Sequence, residues 1–244
     1  MYIPIRSRVR HALAAVLLFS ALGCATTPAP QAVMNTELLK PGLHRVSGQG
    51  GSSLLRSSPD GVIVVDSRRA GMYEPLMAEV ARIAKTSSPR VRALILTGSG
   101  PEQAGNAARF ADAGVPVVVQ RRAFAGSGLP PARVVRYDAD HRLLAGGVVV
   151  EVEHVGSGRS GADSIVLFPD LRIAAIGDLY TAEEPTPDCA AGGSFLGWAA
   201  AIAHLLYWDF ELAVPSHGPP VGKPELLAFK GRLEALAAER RPCG

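Results

Sequence analysis

The sequence predicts an α/β (α+β) fold in which two β-sheets pack together and helices cover their outer sides. Residues 62–65 (Val-Ile-Val-Val) are all β-branched, which is typical of a strand buried on both faces. Apolar residues recur at helical spacing over residues 73–85, and a strand-like segment at 92–96 completes a β-α-β unit. The second half holds three successive strand candidates, at residues 148–154, 164–168 and 172–176.

The remaining elements follow from turn residues and apolar spacing. Ser58-Pro59-Asp60-Gly61 has the composition of a tight turn, and Gly114 is placed to end a helix. In chain order, we expect strands at 42–46 and 53–56, a helix at 106–113, a strand at 116–120, a surface loop at 121–133, a helix at 196–207, a strand at 212–214 and a helix at 224–240.

Length and composition favour one large domain without a nucleic-acid footprint. The chain has 244 residues, of which 48% are apolar and 19% charged, enough to bury a sizeable core. The net charge is only +3, and no stripe of basic and aromatic residues appears. We therefore expect a single domain over residues 42–244 and no nucleic-acid partner.

The N-terminus has the pattern of an export signal. Three arginines precede an apolar segment at residues 12–22 that is too short for an ordinary transmembrane helix. It ends in Ala21-Leu22-Gly23-Cys24, which resembles the lipobox of bacterial lipoproteins, although Ala21 replaces the usual leucine. The resemblance implies a signal peptide at 1–23, a lipidated Cys24 with a flexible tether at 24–41, and an outer-membrane location facing the periplasm. A plain cleaved signal and an uncleaved anchor are the alternatives.

Two further cysteines lie near the C-terminal side of the chain. In an oxidising compartment Cys189 and Cys243 could form one disulfide, or they could remain separate thiols. Sequence spacing leaves both open.

Polar residues occur at successive strand ends: Asp66, the loop 97–106, the turn 156–163, Asp178 and His217. This order covers nearly the whole expected domain and resembles the site frame of the metallo-β-lactamase fold superfamily. The resemblance implies a four-layer αββα sandwich that holds one or two metals at the sheet edge. Many members hydrolyse esters, amides, thioesters or phosphoesters.

The ligand motif of that family, T-H-x-H-x-D-H, is degenerate here. When the motif is aligned on Thr97, none of its metal-ligand positions has the family's residue in this chain. A further family histidine, expected in the turn 156–163, is an arginine here. The positions in this chain are Gly98, Gly100, Glu102, Gln103 and Arg159, while Asp178 and His217 keep the family's residue type.

This ligand set does not suit the family's first metal site. Zinc needs three or four converging N, O or S donors, whereas glycine side chains offer none and a guanidinium repels cations. A residual site for one divalent metal such as zinc could still use Glu102, Asp178 and His217. We also expect Arg159 to pair with Asp178 and replace the positive charge of the metal.

The resulting expectation is a lipid-anchored, non-catalytic binding or accessory protein whose partner is a small molecule or an envelope protein. The alternative is a hydrolase that uses the residual site, and a third possibility is a purely structural envelope lipoprotein. Several serines are available as nucleophiles, but no Gly-x-Ser-x-Gly elbow or recognisable triad order accompanies them.

Overall fold

Two β-sheets organise the computed structural model, which describes residues 34–124, 129, 131–239 and 243. The first sheet has seven strands in chain order: β1 (Met34–Lys40), β2 (Leu43–Gly48), β3 (Ser53–Ser58), β4 (Gly61–Val65), β5 (Val91–Ile95), β6 (Val117–Gln120) and β7 (Val134–Tyr137). The second sheet has the order β12 (Leu212–Pro215), β11 (Ile173–Gly177), β10 (Ser164–Phe168), β9 (Val148–His154) and β8 (Asp140–Ala145).

Five α-helices in the described part of the chain connect or flank these strands. They are α1 (Tyr73–Ala84), α2 (Pro101–Ala104), α3 (Ala107–Asp112), α4 (Phe195–Leu206) and α5 (Lys223–Glu239). Among the described residues, no helix is long and apolar enough to cross a membrane. The expected signal peptide and Cys24 lie outside the described residues.

Three apolar clusters show how the layers stack. One lies between the sheets, a second joins the seven-stranded sheet to α1 and α3, and a third joins the five-stranded sheet to α4 and α5. Strand β4 contributes to two of them, because Ile63 and Val65 face the other sheet whereas Val62 and Val64 face the helices. The order of layers is therefore helix, sheet, sheet, helix, which confirms the predicted fold class.

Strand direction brings the polar strand ends to one edge of the sandwich. Strands β4, β5, β6 and β7 run parallel, so the segments after β4 and β5 emerge on the same side. Strands β11 and β12 are also parallel to each other, and they are followed directly by Asp178 and by Ser216-His217. The backbone N–H of Ser164 donates to Thr97 O at 2.8 Å, which joins the two sheets at this edge.

The predicted elements appear at the expected positions, and the short helix α2 and three strands are additional. Strand β1 occupies Met34–Lys40, so the expected tether of 24–41 and domain start at 42 were wrong for this segment. Its partly exposed side chains lack a clear alternation, and it is placed by antiparallel pairing with β2. Strands β7 and β8 were also missed, because their exposed positions conceal the apolar pattern. Part of the expected loop at 121–133 lies outside the described residues.

Gly177 is required where β11 reaches the loop after β5. Its φ is +52°, and a Cβ there would lie 2.8 Å from Thr97 Cβ. Both the left-handed backbone and the lack of space therefore oppose any larger residue.

We predict that Gly177→Ala lowers the free energy of unfolding by roughly 1–3 kcal/mol, because it combines backbone strain with a steric clash. The matched variant Gly231→Ala lies within α5, where a Cβ would meet nothing within 4 Å. It should raise stability by up to about 1 kcal/mol, since alanine is the better helix former. Urea unfolding of both variants tests the pair, and equal effects would contradict this account of Gly177.

Candidate functional site

Asp66 anchors the loop that follows β5. Its carboxylate is buried and accepts the Thr97 backbone N–H at 2.8 Å and the Thr97 hydroxyl at 2.7 Å. Burial raises the pKa of Asp66 to about 7, although the hydrogen bonds from Thr97 oppose this shift. Asp66 and Arg68 both have positive φ without being glycine, so the turn after β4 is a strained segment.

Asp178 lies at the centre of the site and is held by two side chains. Gln103 Nε2 donates to Asp178 Oδ1 at 2.7 Å, and Arg159 Nη1 lies 3.4 Å from Asp178 Oδ2. Hydrogen bonds to a charged group stabilise by about 1.5–3 kcal/mol, whereas exposed ion pairs contribute about 0.2–1 kcal/mol. Because the Arg159 side chain is 40% exposed, the hydrogen bond from Gln103 stabilises Asp178 more than the ion pair does. Arg159 supplies the positive charge that compensates the carboxylate. The expected ion pair of Arg159 with Asp178 is present.

Gln103 also explains why a side chain is excluded at Gly100. The buried amide donates from Nε2 to Ser216 Oγ at 2.7 Å as well as to Asp178. A Cβ on Gly100 would overlap Gln103 Oε1. The carboxamide therefore occupies space that a larger residue at Gly100 would need, and the two substitutions depend on each other.

A second buried carboxylate, Asp163, lies beside the other glycines. It accepts hydrogen bonds from the Ser160 backbone N–H at 2.7 Å and from Ser160 Oγ at 2.8 Å. A Cβ on Gly98 would lie 3.5 Å from Asp163, and one on Gly158 only 2.6 Å. Burial raises the pKa of Asp163 to about 6, against the lowering effect of its hydrogen bonds with Ser160.

Glu102 and His217 are engaged with each other. Glu102 Oε2 contacts His217 Nε2, while Glu102 Oε1 accepts from Arg69 Nη2 at 2.5 Å. The Glu102 side chain is 17% exposed and His217 is 57% exposed, so the pair lies at the rim of the site. Both carboxylate oxygens of Glu102 and one ring nitrogen of His217 thus have protein partners.

These groups line two adjoining cavities. The larger has a volume of about 380 Å³ and is lined by Arg69, Glu102, Asp178 and His217 together with other residues. The smaller, of about 240 Å³, includes the glycine loop and Asp163. Gly100, Pro101, Gln103, Arg159 and Asp178 border both cavities.

The donor set does not fit the metal that the resemblance implies. Within the described ranges, no group of three or more His, Cys, Asp or Glu side chains could hold a metal ion. Glu102, Asp178 and His217 border the same cavity, but Asp178 faces Gln103 and Arg159 whereas Glu102 faces Arg69. A cation would have to displace these partners, and the two glycines offer no side-chain donors.

Several site residues were missed from the sequence. Arg69 follows β4 at the same sheet edge as the β5 loop, a position that the parallel β4–β5 pairing could have indicated. Asn106 donates its side-chain amide to three carbonyl groups, of Ser67, Arg68 and Arg69, and joins that segment to the start of α3. Asp163 and Ser216 adjoin residues already selected, but no sequence pattern reveals their partners.

A disulfide joins Cys189 to Cys243, which resolves the choice between a pair and two free thiols. Cys189 lies in the segment between β11 and α4. Asp188 N donates to Arg159 O at 2.7 Å, and Gly161 N donates to Ala191 O at 2.7 Å. The disulfide therefore restrains a loop that is hydrogen-bonded to the backbone of Arg159 and of Gly161.

Comparisons with known proteins identify the fold. No protein-family model matches the chain, and no curated protein matches it. It is similar to a metallo-β-lactamase from Pontibacter korlensis, with a TM-score of 0.73 and 20% identity, covering 83% of this chain and 99% of that one. It is also similar to the metallo-β-lactamase FIM-1 from Pseudomonas aeruginosa in its mono-zinc form, with a TM-score of 0.69 and 19% identity. That match covers 85% of this chain and 98% of FIM-1. A metallo-β-lactamase from Hirschia baltica matches with a TM-score of 0.65 and 21% identity, over 82% of this chain and 97% of that one.

Fold and site together define an αββα protein with an edge site built from strand ends. It has the metallo-β-lactamase fold, as the sequence resemblance implied. At these identities the likeness concerns the fold alone.

The raised pKa of Asp66 predicts a pH-dependent stability. Below about pH 4 the carboxyl is protonated in both states, and between about 4 and 7 only the folded state retains the proton. Its contribution to stability is therefore lost as pH rises to about 7. We expect Asp66→Asn to reduce this decline by at most about 1.4 kcal/mol per pH unit.

Guanidinium unfolding between pH 4.5 and 8 measures the effect. Asp138→Asn, at a carboxylate that is 66% exposed, serves as the control and should leave the slope unchanged. Asp163 contributes a residual slope of the same sign in every variant, because its pKa is also raised. A slope in Asp66→Asn equal to that of the wild type would contradict the assignment.

Proposed function

We propose that this chain is an exported, lipid-anchored protein of the metallo-β-lactamase fold that binds a ligand without performing metal-dependent hydrolysis. The observation that carries the proposal is the environment of Asp178, which has Gln103 and Arg159 as its partners. Hydrolysis by a metal-bound hydroxide needs an open coordination position and several free donors. The described residues supply neither arrangement, while the adjoining cavities offer room for a ligand.

Export is supported by the cysteines. The disulfide between Cys189 and Cys243 suits an oxidising compartment such as the bacterial periplasm. The lipobox-like Cys24 provides the proposed anchor in the outer membrane. Lipid attachment would place the cavities on the periplasmic side, where a small molecule or an envelope protein could reach them.

The second candidate function is hydrolysis through a single divalent metal at Glu102, Asp178 and His217. It is favoured by the convergence of all three side chains on one cavity. It requires that Glu102 leave Arg69 and that Asp178 leave Arg159, so that each carboxylate exchanges an existing partner for the metal. The cationic Arg159 beside Asp178 opposes this exchange.

The metal content of the purified mature protein separates these functions. After expression in zinc-supplemented medium and purification in detergent, we expect far less than one zinc, iron or manganese per chain. Near-stoichiometric metal that is lost in His217→Ala would contradict the proposal. His204→Ala is the matched control, because His204 pairs with Glu153 outside the cavities.

The lipid anchor is tested by detergent phase partitioning of the full-length chain expressed in a bacterial host. Wild-type protein should enter the detergent phase, and Cys24→Ser should move to the aqueous phase because the acyl chains are lost. Cys243→Ser, which removes the disulfide instead, should partition like the wild type. Detergent-phase partitioning of Cys24→Ser, or aqueous wild-type protein, would contradict lipidation.

A further inference from the structure

Arg159 has unused hydrogen-bonding capacity at the junction of the two cavities. Its guanidinium group carries five N–H donors, yet its side chain makes one ion-pair contact, at 3.4 Å to Asp178. No side-chain hydrogen bond joins it to another residue in the described part of the chain. A planar guanidinium with free donors is suited to bidentate binding of a carboxylate.

The same cavity also has an unused acceptor. Glu183 is exposed, borders the 380 Å³ cavity, and its carboxylate has no side-chain partner among the described residues. Its backbone, by contrast, is fixed, because Glu183 N donates to Thr181 Oγ1 at 3.0 Å and its carbonyl accepts from Arg232. These hydrogen bonds restrain the backbone that carries the carboxylate, which lowers the cost of ordering the segment on binding.

The charges that line the larger cavity favour a ligand that carries both a negative and a positive group. Two arginines face four carboxylates there, so a ligand that carries only negative charge would meet an excess of like charge. A ligand that carries only positive charge could pair with Glu183, but it would leave the Arg159 donors unused, and Asp178 and Glu102 already have partners. A ligand with both charges can use Arg159 and Glu183 together.

Size and wall chemistry agree with a small organic molecule. A volume of about 380 Å³ lies within the range of small-molecule pockets. Tyr180 and Trp198 contribute aromatic surface, and Trp198 is held by its Nε1–H, which donates to Leu179 O at 2.8 Å. The cavity is thus lined by aromatic as well as charged side chains.

We propose that the larger cavity binds a small zwitterion, an amino acid or short peptide with free ends. Arg159 binds the carboxylate of the ligand, and Glu183 binds its ammonium group. The assignment rests on the proposed binding function and names the chemical class of its ligand.

Calorimetric titration of the mature protein with three probes tests the assignment. Glycylglycine carries both charges, N-acetylglycylglycine lacks the ammonium group, and glycylglycinamide lacks the carboxylate. We expect glycylglycine to bind at least about tenfold more tightly than either blocked peptide, because each loses a charge-assisted hydrogen bond. Equal affinities for the three probes, or no saturable binding of any, would overturn the assignment.

Two variants separate the roles of the side chains. Arg159→Gln should bind glycylglycine and glycylglycinamide with equal affinity, and Glu183→Gln should bind glycylglycine and N-acetylglycylglycine with equal affinity. The matched controls Arg82→Gln and Glu74→Gln change charges on α1, away from the cavity, and should keep the wild-type preferences. Wild-type preferences in Arg159→Gln or Glu183→Gln would overturn the corresponding contact.

Metal analysis of the same samples distinguishes the two levels of the proposal. A metal-free chain that does not discriminate among the probes would overturn the zwitterion assignment alone and leave the proposed function standing. Stoichiometric zinc that is lost in His217→Ala would overturn the proposed function itself. Zwitterion binding that also disappears with that zinc would overturn the assignment to Arg159 and Glu183.

Discussion

The carboxylate of Asp178 must be compensated where the two sheets meet, and the rest of the site follows from this requirement. The side chain is 20% exposed and lies at the end of β11, beside the loop that Asp66 fixes after β5. A partly buried carboxylate needs a cation or strong donors around it. Gln103 of α2 and Arg159 of the turn after β9 meet this need, so the protein's own side chains compensate the charge of this carboxylate.

The glycines are a steric part of the same arrangement. A side chain at Gly100 would collide with the Gln103 amide, and one at Gly158 would collide with Asp163. Restoring a histidine at the first of these positions therefore requires that Gln103 also change. Because the amide binds both Asp178 and Ser216, that change would remove two hydrogen bonds across the sheet edge. The glycine at position 100, which offers no metal donor, is therefore physically linked to the hydrogen bonds of Gln103 that hold this sheet edge together.

The degree to which sequence predicted structure differs between the core and the site. The β-branched run of β4 and the helical spacing of α1 report burial directly, so the layers could be predicted from local pattern. Edge strands such as β1 and β8 carry mixed exposure, and only pairing with their neighbours reveals them. The degenerate ligand positions were found by alignment to one motif, and the Arg159–Asp178 pair followed from charge. The double hydrogen bond of Gln103 depends on distances across 75 and 113 residues of sequence, which local pattern does not encode.

The most direct test is a crystal structure of the mature protein grown with excess zinc, with anomalous diffraction measured at the zinc edge. Replacement of the metal by protein groups predicts no anomalous peak within coordination distance of Asp178, and it predicts Gln103 Nε2 in contact with the Asp178 carboxylate. A strong peak bound by Glu102, Asp178 and His217, with Arg159 turned away, would contradict it.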